Sequence, residues 1–425
     1  MKVALVTYGM LWGGMETFLL RLGTFLLRHG FEVDVVTTSE MGDWFGKLGR
    51  AGLGARYLHR ESLTEAGHAL RVGRFLARSR YDVIFLNHAR HAQLSLALLP
   101  DSVIVIPILH NDSPEIYDVA CANSAAWNVL VGVSPKLCRE AERRLGPHRV
   151  ACIGYGVEVP SWDHVESTRC HGSTFRLIFA GRLVNAQKGV LLLPEVLEHV
   201  VHHGIDVELH IVGEGIDGEP LENDFRRRSI LSRVHFHGLK APAEVYDMLL
   251  QSDALLMPSY YEGLPIIMLE AMACGCVPIV SSLAGITDTV VKEGCSGFLV
   301  PPGEARQFAR AVIELAQSPD RWREMSVRAY QEASRRSVEV MGTAYLHLIE
   351  CCCAGQYPLL RRRRFQLPLD RTLLRLSDLR PHLPEPRRLL LEEESFDAAV
   401  ERKPRSRLVG RGRSLVKRAI GVRQK

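Results

Sequence analysis

Two carboxylates bracket the nine-residue segment Glu262–Glu270, which reads Glu-Gly-Leu-Pro-Ile-Ile-Met-Leu-Glu. Pro265 is typical of a first helical turn, because that position needs no N–H group, and Gly275 is typical of a helix end. The segment therefore predicts a helix with Glu262 just before it and Glu270 two turns into it. The residues around Glu270 are apolar on every side, which indicates that the helix is buried.

One kind of ligand would explain both acids. A buried carboxylate is costly unless something hydrogen-bonds to it, and a pair of sugar hydroxyls would do so for Glu270. The free N–H groups of Gly263, Leu264 and the first helical turn, aided by the helix dipole, favour an anion such as a phosphate. Hydroxyls and phosphates on one molecule indicate a nucleotide sugar.

Simpler interpretations stay open for the same residues. Glu262 is compatible with an ordinary acidic residue near a helix start, and Glu270 with an ion pair to a buried Arg or Lys. A hydrolase is disfavoured, because glycosidases need two carboxyls flanking the scissile bond, whereas Glu270 is predicted behind the anion site. The sequence contains no convincing Asp-x-Asp metal clamp, so we expect no obligatory metal.

A pair of adjacent glycines, Gly13-Gly14, follows the first predicted strand and precedes Glu16 and an apolar helix predicted from Thr17. Adjacent glycines allow a ligand to approach the backbone closely, and the start of a helix favours phosphate. A tight strand-to-helix turn without any ligand explains the pair equally well.

Two basic residues, Arg182 and Lys188, follow the predicted strand Phe175–Ala180. Both are able to reach a diphosphate, Arg182 as a planar fork and Lys188 as a point charge. The alternative is a solvated basic loop. The position at the carboxyl end of a strand favours ligand binding, because parallel sheets bind ligands at that edge.

Three further residues lie where predicted strands end. Gly213 and Leu239 follow the strands Val207–Val212 and Val234–Phe236, and their loops are able to read a nucleobase through backbone groups or to serve as simple turns. His110 ends the apolar run 103–109. Although a lone His is usually structural, a His at a strand end favours a role in the cleft.

The elements that must position these residues are short β-rich runs that alternate with helical segments over residues 1–340. Continuous Val, Ile and Leu runs alternating with helices are typical of parallel sheets covered on both faces. The twelve predicted strands form two series, separated by the polar stretch 158–173, and this indicates two doubly wound domains joined by a linker. The strands are Val3–Tyr8, Val33–Thr37, Val83–Leu86, Val103–Ile106, Val129–Val133, Val150–Ile153, Phe175–Ala180, Val207–Val212, Val234–Phe236, Ala254–Met257, Val277–Val280 and Phe298–Val300.

Composition excludes several classes of protein. With 47% hydrophobic and 24% charged residues the chain is ordinary for a globular protein, and no apolar run approaches the length of a membrane span. The apolar run 3–6 is too short for a signal peptide, so we expect a cytoplasmic protein with reduced thiols. The ten cysteines contain no pair of Cys-x-x-Cys units, so a zinc site is not expected.

Together these motifs resemble the retaining glycosyltransferases of family 4, over roughly residues 1–350. The resemblance is strongest in three stretches, Tyr261–Pro265, Glu270–Gly275 and Gly297–Pro301. It implies the GT-B architecture, in which two Rossmann-like domains face each other across a cleft. It also implies that no cofactor is needed beyond a nucleotide-sugar donor, for which we expect UDP first and GDP second.

The resemblance implies a role for each matching residue. Glu262 contacts the donor sugar, Glu270 binds the ribose, Arg182 and Lys188 hold the diphosphate, and His110 lies beside the transferred sugar. The Gly13-Gly14 turn closes over the donor. We thus predict acceptor binding by Glu16, catalytic roles for His110, Glu262, Arg182 and Lys188, and donor binding by Gly13, Gly14, Gly213, Leu239, Gly263, Leu264, Pro265 and Glu270.

The chain departs from the family at Gly154-Tyr155, where Pro-Asn is common. We expect this departure to affect the interdomain linker more than the chemistry. The predicted domains are 1–157 on the acceptor side, 158–327 on the donor side, a helix within 328–355 that crosses back to the first domain, and a basic, partly disordered tail over 356–425.

The tail sets the charge of the chain. Residues 361–425 carry 19 basic and 8 acidic residues, whereas residues 1–360 carry 34 basic and 40 acidic ones. Because residues 414–423 mix basic and apolar side chains as interfacial helices do, we predict weak attachment to the inner face of an anionic membrane. Nucleic-acid binding is the second interpretation and a solvated tail the third; we expect no specific nucleic acid as a partner.

The reaction implied is transfer of a sugar, with retained anomeric configuration, to a glycan or lipid-linked acceptor. Two alternatives use the same pocket. A nucleotide-sugar epimerase would form product from the donor without an acceptor, and a non-catalytic protein would bind the nucleotide sugar without turnover.

Overall fold

The computed structural model describes residues 1–60, 64–168 and 174–357. The predicted tail from residue 358 onward lies outside the described residues. The described chain forms two parallel sheets flanked by helices, one of seven strands and one of six. It is therefore the two-domain α/β fold that the alternating strands and helices predict.

The first sheet has the strand order β3-β2-β1-β4-β5-β6-β7, and every pair is parallel. Its strands are β1 (Lys2–Thr7), β2 (Glu32–Thr37), β3 (Gly54–Tyr57), β4 (Val83–Asn87), β5 (Ile104–Leu109), β6 (Leu130–Gly132) and β7 (Val150–Cys152). Its helices are α1 (Gly14–Arg28), α2 (Phe45–Arg50), α3 (Glu65–Arg78), α4 (Arg90–Leu94), α5 (Pro114–Cys121) and α6 (Pro135–Leu145).

The second sheet has the order β10-β9-β8-β11-β12-β13 and is also parallel throughout. Its strands are β8 (Phe175–Ala180), β9 (Val207–Val212), β10 (Val234–Phe236), β11 (Ala254–Met257), β12 (Val277–Ser281) and β13 (Phe298–Val300). The remaining helices are α7 (Trp162–Thr168), α8 (Asn185–Lys188), α9 (Leu193–His202), α10 (Gly218–Arg227), α11 (Pro242–Leu250), α12 (Ile266–Ala273), α13 (Ala305–Gln317), α14 (Pro319–Ser334) and α15 (Val338–Cys353).

Both faces of the first sheet are covered. On β1, Val3 and Leu5 belong to one hydrophobic cluster, whereas Ala4 and Val6 belong to another on the opposite face. All four side chains are fully buried. This is why the strands of the chain appear as continuous apolar runs rather than as alternating patterns.

Each of the twelve predicted strands overlaps an observed one, and β3 is additional. Its sequence, Gly-Ala-Arg-Tyr, is only partly buried at the edge of the sheet, so it lacks the apolar run that marks the other strands. The stretch 158–173, predicted as a linker, also contains α7, whose Val165 is buried.

The chain returns to the first domain at its C-terminal end. The helix predicted within residues 328–355 is α15, whereas residues 328–334 belong to the end of α14; α14 packs against α12, and α15 packs against α1. At the break the Val157 N–H donates to the carbonyl of Arg336 and the Val338 N–H donates to the carbonyl of Val157, with N···O distances of 2.9 and 3.1 Å. The crossing thus begins at Val338.

The helix α15 places one aromatic side chain in the core of the first domain. Its fully buried Tyr345 contacts Phe18 and Phe85, with ring centroid distances of 5.9 and 5.6 Å.

The contact between α1 and α15 predicts the effect of one substitution. A Cβ added at Gly342 would fall 2.3 Å from Cδ1 of the buried Phe25. Since a packed core does not relax freely, Gly342→Ala should lower the free energy of unfolding by about 1–3 kcal/mol. Chemical denaturation measures this change. The control is Gly49→Ala in α2, where the added Cβ meets no described atom within 4 Å and should stabilise the helix by about 0.5–1 kcal/mol. A Gly342→Ala protein as stable as this control would contradict the packing.

Candidate functional site

The loops that follow β8, β9 and β10 meet at the carboxyl edge of the second sheet. The Gly181 N–H donates to the carbonyl of Val212, and the Gly213 N–H donates to the carbonyl of Gly238, at 2.9 and 2.8 Å. Gly213 has φ +128°, and a Cβ there would lie 2.0 Å from the Gly181 carbonyl oxygen, so this position requires glycine. Leu239, 44% exposed, follows Gly238. The loops predicted to bind a donor are therefore adjacent.

Lys188 and Glu262 form an ion pair at this edge. The Lys188 Nζ lies 2.6 Å from Glu262 Oε1, and their side chains are 16% and 7% exposed. The lysine ends α8, after β8, and the glutamate follows the neighbouring strand β11. The sequence predicted the two residues for separate tasks, whereas the structure joins them, so the carboxylate fixes the position of the ammonium group.

Arg182 lies between β8 and α8, in the segment that leads to Lys188. Its Nη2 donates to Oε1 of the buried Gln187 at 2.7 Å, while the residue as a whole is exposed. The charge of its guanidinium lowers the pKa of two neighbours, Glu16 of the first domain and Tyr261 of the second, against the larger opposing effect of burial. Arg182 therefore faces both walls of the cleft.

The helix predicted between the two acids is α12, and it is buried as expected. Pro265 lies at the position before the helix rather than in its first turn, and Gly275 follows the helix with φ +65°. A Cβ added at Gly263 would fall 1.9 Å from the carbonyl oxygen of His110. The loop before α12 therefore touches the end of β5 in the first domain, and only a glycine permits this approach.

Glu270 is paired with an arginine from the other domain. Its Oε1 lies 2.7 Å from Nη2 of Arg21 on α1, and the two side chains are 16% and 12% exposed. Arg21 Nη1 also donates to the carbonyl of Gly156 at 3.4 Å. Burial raises the pKa of Glu270, and the Arg21 guanidinium opposes that rise. Of the interpretations left open for Glu270, the structure shows the ion pair; ribose binding stays a prediction, and a ribose would have to share Glu270 with Arg21.

The Gly13-Gly14 turn lies against the start of α12. A Cβ added at Gly14 would be 3.4 Å from Cδ1 of Ile266. The helix α1 begins at Gly14, three residues earlier than predicted, because the turn residues themselves adopt the helical conformation. As a result Glu16 lies inside the first turn of α1 and is only 5% exposed, and burial raises its pKa.

His110 is buried, and both ring nitrogens have partners. Nε2 is 2.8 Å from Asn87 Oδ1, and Nδ1 is 2.6 Å from the hydroxyl of Tyr155. Because the Asn87 amide nitrogen donates to the carbonyl of Val6 at 3.3 Å, its Oδ1 accepts, so we assign the proton to Nε2 and let Nδ1 accept from Tyr155. Burial and the neighbouring His88 lower the pKa of His110 well below its usual range. A sugar would reach this ring only by displacing Asn87 or Tyr155.

His88, the residue after β4, was not predicted from the sequence. His88 has φ +50°, its ring meets that of His110 edge-on at 5.5 Å, and Nε2 has no hydrogen-bond partner among the described residues. Burial lowers the pKa of His88 to about 4. The signal that singled out His110, a polar residue at the end of an apolar strand, applies equally to Asn87-His88.

Two family models match the chain, each to one domain. Glycosyltransferase Family 4 matches residues 12–159, and Glycosyl transferases group 1 matches residues 174–318. The chain belongs to glycosyltransferase family 4. The boundary between the two matches lies in the predicted linker region, and both matches include the loops described above.

Relatives of this glycosyltransferase differ in how much of their length matches. The phosphatidyl-myo-inositol mannosyltransferase of Mycobacterium leprae is 27% identical over 342 residues, which are 76% of this chain and 89% of that protein. The glycogen synthase of Mycobacterium tuberculosis is 26% identical over 192 residues, and the chain spans 46% of its length. Among solved structures, Anabaena Alr3699/HepE in complex with UDP and glucose has a TM-score of 0.70 at 18% identity, covering 82% of this chain and 99% of that one. The structural likeness shows the GT-B fold.

Two further observations concern membranes and metals. In the part of the chain that the structure describes, no helix is both long and apolar enough to cross a membrane. Within the same residues, the one group of three or more side chains placed to share a metal ion is Glu208, His210 and His235. This group lies on the second sheet, on β9 and β10, rather than beside the Lys188–Glu262 pair.

Proposed function

We propose that this glycosyltransferase transfers a hexose from a nucleoside-diphosphate sugar to a glycan or lipid-linked acceptor, with retained anomeric configuration and without a metal ion. The observation that carries the proposal is the buried pair Lys188–Glu262, with a Nζ–Oε1 distance of 2.6 Å, at an edge where three glycine-containing loops meet. A fixed cation suits a diphosphate, and a carboxylate held within hydrogen-bond reach suits a sugar hydroxyl.

UDP is our first choice of donor nucleotide and GDP the second. The Anabaena neighbour has been solved with UDP and glucose, which supports a uridine donor. The mannosyltransferase relative supports a hexose as the transferred group. No separate cofactor enters the proposal, because the nucleotide itself supplies the leaving group.

The transfer needs stabilisation of charge at the leaving group. As the bond between the sugar C1 and the diphosphate oxygen breaks, the diphosphate keeps the electron pair and gains negative charge. Arg182, Lys188 and the N–H groups of Gly263 and Leu264 stabilise this charge as preorganised electrostatics. The acceptor oxygen then bonds to C1 from the same face of the sugar. Its proton passes to the departing phosphate oxygen, so no protein nucleophile is required.

The remaining residues orient the substrates. Glu262, held by Lys188, accepts a hydrogen bond from a hydroxyl of the donor sugar, and Glu270 binds the ribose.

The first domain supplies the other wall of the site. The Gly13-Gly14 turn, which already packs on Ile266, covers the donor and limits its reaction with water. Glu16 binds the acceptor. His110 lies beside the sugar and contributes through its backbone and its position, because both of its ring nitrogens are occupied.

Arg182→Ala tests the role in charge stabilisation. We expect kcat to fall by about 100-fold while the fold is kept, because Arg182 is an exposed residue. The assay measures transfer from UDP- and GDP-hexoses to a lipid-linked acceptor. The matched control is Arg226→Ala on α10, an exposed arginine paired with Glu222 at 2.7 Å, which should keep full activity. Equal kcat values for the two variants would contradict the proposal.

The alternatives give different outcomes in the same assay. An epimerase would convert the donor in the absence of acceptor. A non-catalytic protein would bind the nucleotide sugar, seen by calorimetry, without converting it under either condition.

We further propose a cytoplasmic location with weak attachment to the inner face of the membrane through the basic tail. Support comes from charge: the tail from residue 361 carries 19 basic against 8 acidic residues. An anionic surface attracts such a segment, and proximity to the membrane would suit a lipid-linked acceptor.

A further inference from the structure

A cluster of histidines and one glutamate lies on a single face of the second sheet. Glu208 and His210 are two residues apart on β9, so their side chains point to the same face. The parallel pairing of β9 with β10 places His235 directly opposite His210. The next residue on the same face after His235 is His237, just beyond the end of β10. None of these residues belongs to the donor-binding set.

The distances suit a shared metal ion. Glu208 Oε2 lies 3.9 Å from both His210 Nε2 and His235 Nε2, and the three atoms all lie within 4.8 Å of one another. These separations are too long for hydrogen bonds. Bonds of about 2.0–2.2 Å to a tetrahedral zinc ion place ligand atoms about 3.3–3.6 Å apart, so small side-chain rotations would complete the site.

The hydrogen bonding of His210 prepares its ring as a ligand. Its Nδ1 lies 3.0 Å from Nε2 of His237, and the two rings are stacked. When the Nδ1–H group of His210 donates to Nε2 of His237, Nε2 of His210 carries a lone pair that is available to a metal ion. This Nε2 is buried and has no hydrogen-bond partner in the described part of the chain. Metal-binding imidazoles commonly have this arrangement, because a partner on one nitrogen fixes the tautomer that offers the other.

The ligand atoms of the cluster, two imidazole nitrogens and one carboxylate oxygen, favour a transition metal ion. Arg176, in register with Glu208 on β8, acts against any cation. Mg²⁺ and Ca²⁺ depend on oxygen ligands, whereas zinc and similar transition metals bind imidazole nitrogen well.

We propose that Glu208, His210 and His235 bind one divalent transition metal ion of the zinc type, with His237 holding the ring of His210. The exposed fractions of the three ligand side chains, 36%, 22% and 44%, leave the ion accessible from solution. The spacing of the cysteines does not predict this site, because its ligands are two histidines and a glutamate on the neighbouring strands β9 and β10. None of the three ligands takes part in the proposed sugar transfer, so metal binding does not depend on the proposed function.

An occupied site would join the edge strand β10 to β9. The binding free energy then adds to the stability of this edge, because the unfolded chain does not hold the three ligands together. Since His237 leads directly into Gly238, which accepts from the Gly213 N–H, the loops that follow both strands are held as well.

The experiment uses the full chain, stripped with a chelator and kept reduced, and titrates it with ZnCl₂ by calorimetry. The variants are Glu208→Gln and His235→Ala, because both positions are partly exposed and tolerate substitution without loss of the fold. The control is His202→Ala, an exposed histidine on α9 of the same domain. The absorption spectrum of bound Co²⁺ adds a second measurement, because thiolate ligands from the cysteines would produce charge-transfer bands that nitrogen and oxygen ligands do not.

We expect the wild type and His202→Ala to bind one equivalent of Zn²⁺ that Glu208→Gln and His235→Ala do not, with a melting temperature that rises on zinc addition only in the first two. Loss of the outer partner in His237→Ala should weaken this binding by about 10- to 100-fold. The proposal is overturned if all proteins bind the same number of ions, if the wild type binds none, or if Co²⁺ bound at this stoichiometry shows thiolate bands.

Discussion

Lys188→Ala should reduce kcat by about 100- to 1,000-fold, the largest loss of activity that we expect from a single substitution. Under the proposed mechanism the substitution removes a preorganised cation from the leaving diphosphate, and such groups typically contribute that much. It also leaves Glu262, 7% exposed, without the ammonium group that lies 2.6 Å away. Steady-state kinetics with saturating donor would measure the loss.

The loss of stability and the loss of catalysis can be separated. In Lys188→Ala the charge of Glu262 is buried and unpaired, so the protein should also unfold more easily. Adding Glu262→Gln removes that charge while keeping the shape, so the double variant should regain stability without regaining activity. Lys2→Ala is the matched control, because Lys2 is also paired, to Glu32 at 3.1 Å, but lies at the amino end of β1. A double variant with restored activity would show that Lys188 acts only by stabilising the fold.

Arg21→Ala should lower the free energy of unfolding by about 3–5 kcal/mol at neutral pH. The substitution leaves Glu270 buried and without its partner at 2.7 Å, and breaking a buried pair typically costs that much. Arg28→Ala on the same helix is the control. Arg28 and Glu339 are 59% and 62% exposed with an N···O distance of 3.5 Å, so their loss should cost less than about 1 kcal/mol. Urea denaturation of both variants provides the comparison.

The effect of Arg21→Ala should also depend on pH. Burial raises the pKa of Glu270, and the Arg21 guanidinium opposes the rise. In Arg21→Ala the pKa of Glu270 should therefore be higher than in the wild type. A carboxyl whose pKa is raised in the folded state costs stability only where it must ionise. The penalty is therefore absent below the unfolded-state pKa and grows as pH rises towards and through the folded-state pKa. Denaturation at several pH values should show that the free energy of unfolding of Arg21→Ala falls further below that of Arg28→Ala as the pH rises from acid to neutral. A gap that stays constant would contradict this account of Glu270.

The loops of the site could be predicted because parallel strands expose their carboxyl ends at one edge. Once Phe175–Ala180 and Val207–Val212 are identified as strands by their apolar runs, Gly181 and Gly213 must lie near each other, as observed. The same reasoning failed for β3, whose four residues carry no apolar run.

The pairings across the cleft could not be predicted. Arg21 and Glu270 are 249 positions apart in the chain, and nothing in the sequence of α1 distinguishes Arg21 from Arg28. The expectation that Gly154-Tyr155 affects the linker more than the chemistry stays a prediction, but the sequence did not predict that the Tyr155 hydroxyl lies 2.6 Å from His110 Nδ1. A departure from a family motif indicates that the contacts at that position differ from those in the family, but only the fold shows which residue makes the new contact.

The return of the chain through α15 has a consequence for biosynthesis. Phe18 and Phe85 of the first domain complete their packing with Tyr345 of α15, which is fully buried. A nascent chain leaves the ribosome from its N-terminus, and domains generally fold as they emerge. The first domain of this protein cannot complete its packing until the last helix, α15, has been synthesised. Although made first, it has an open hydrophobic surface until the second domain has been synthesised, and the need to shield that surface falls on the cell.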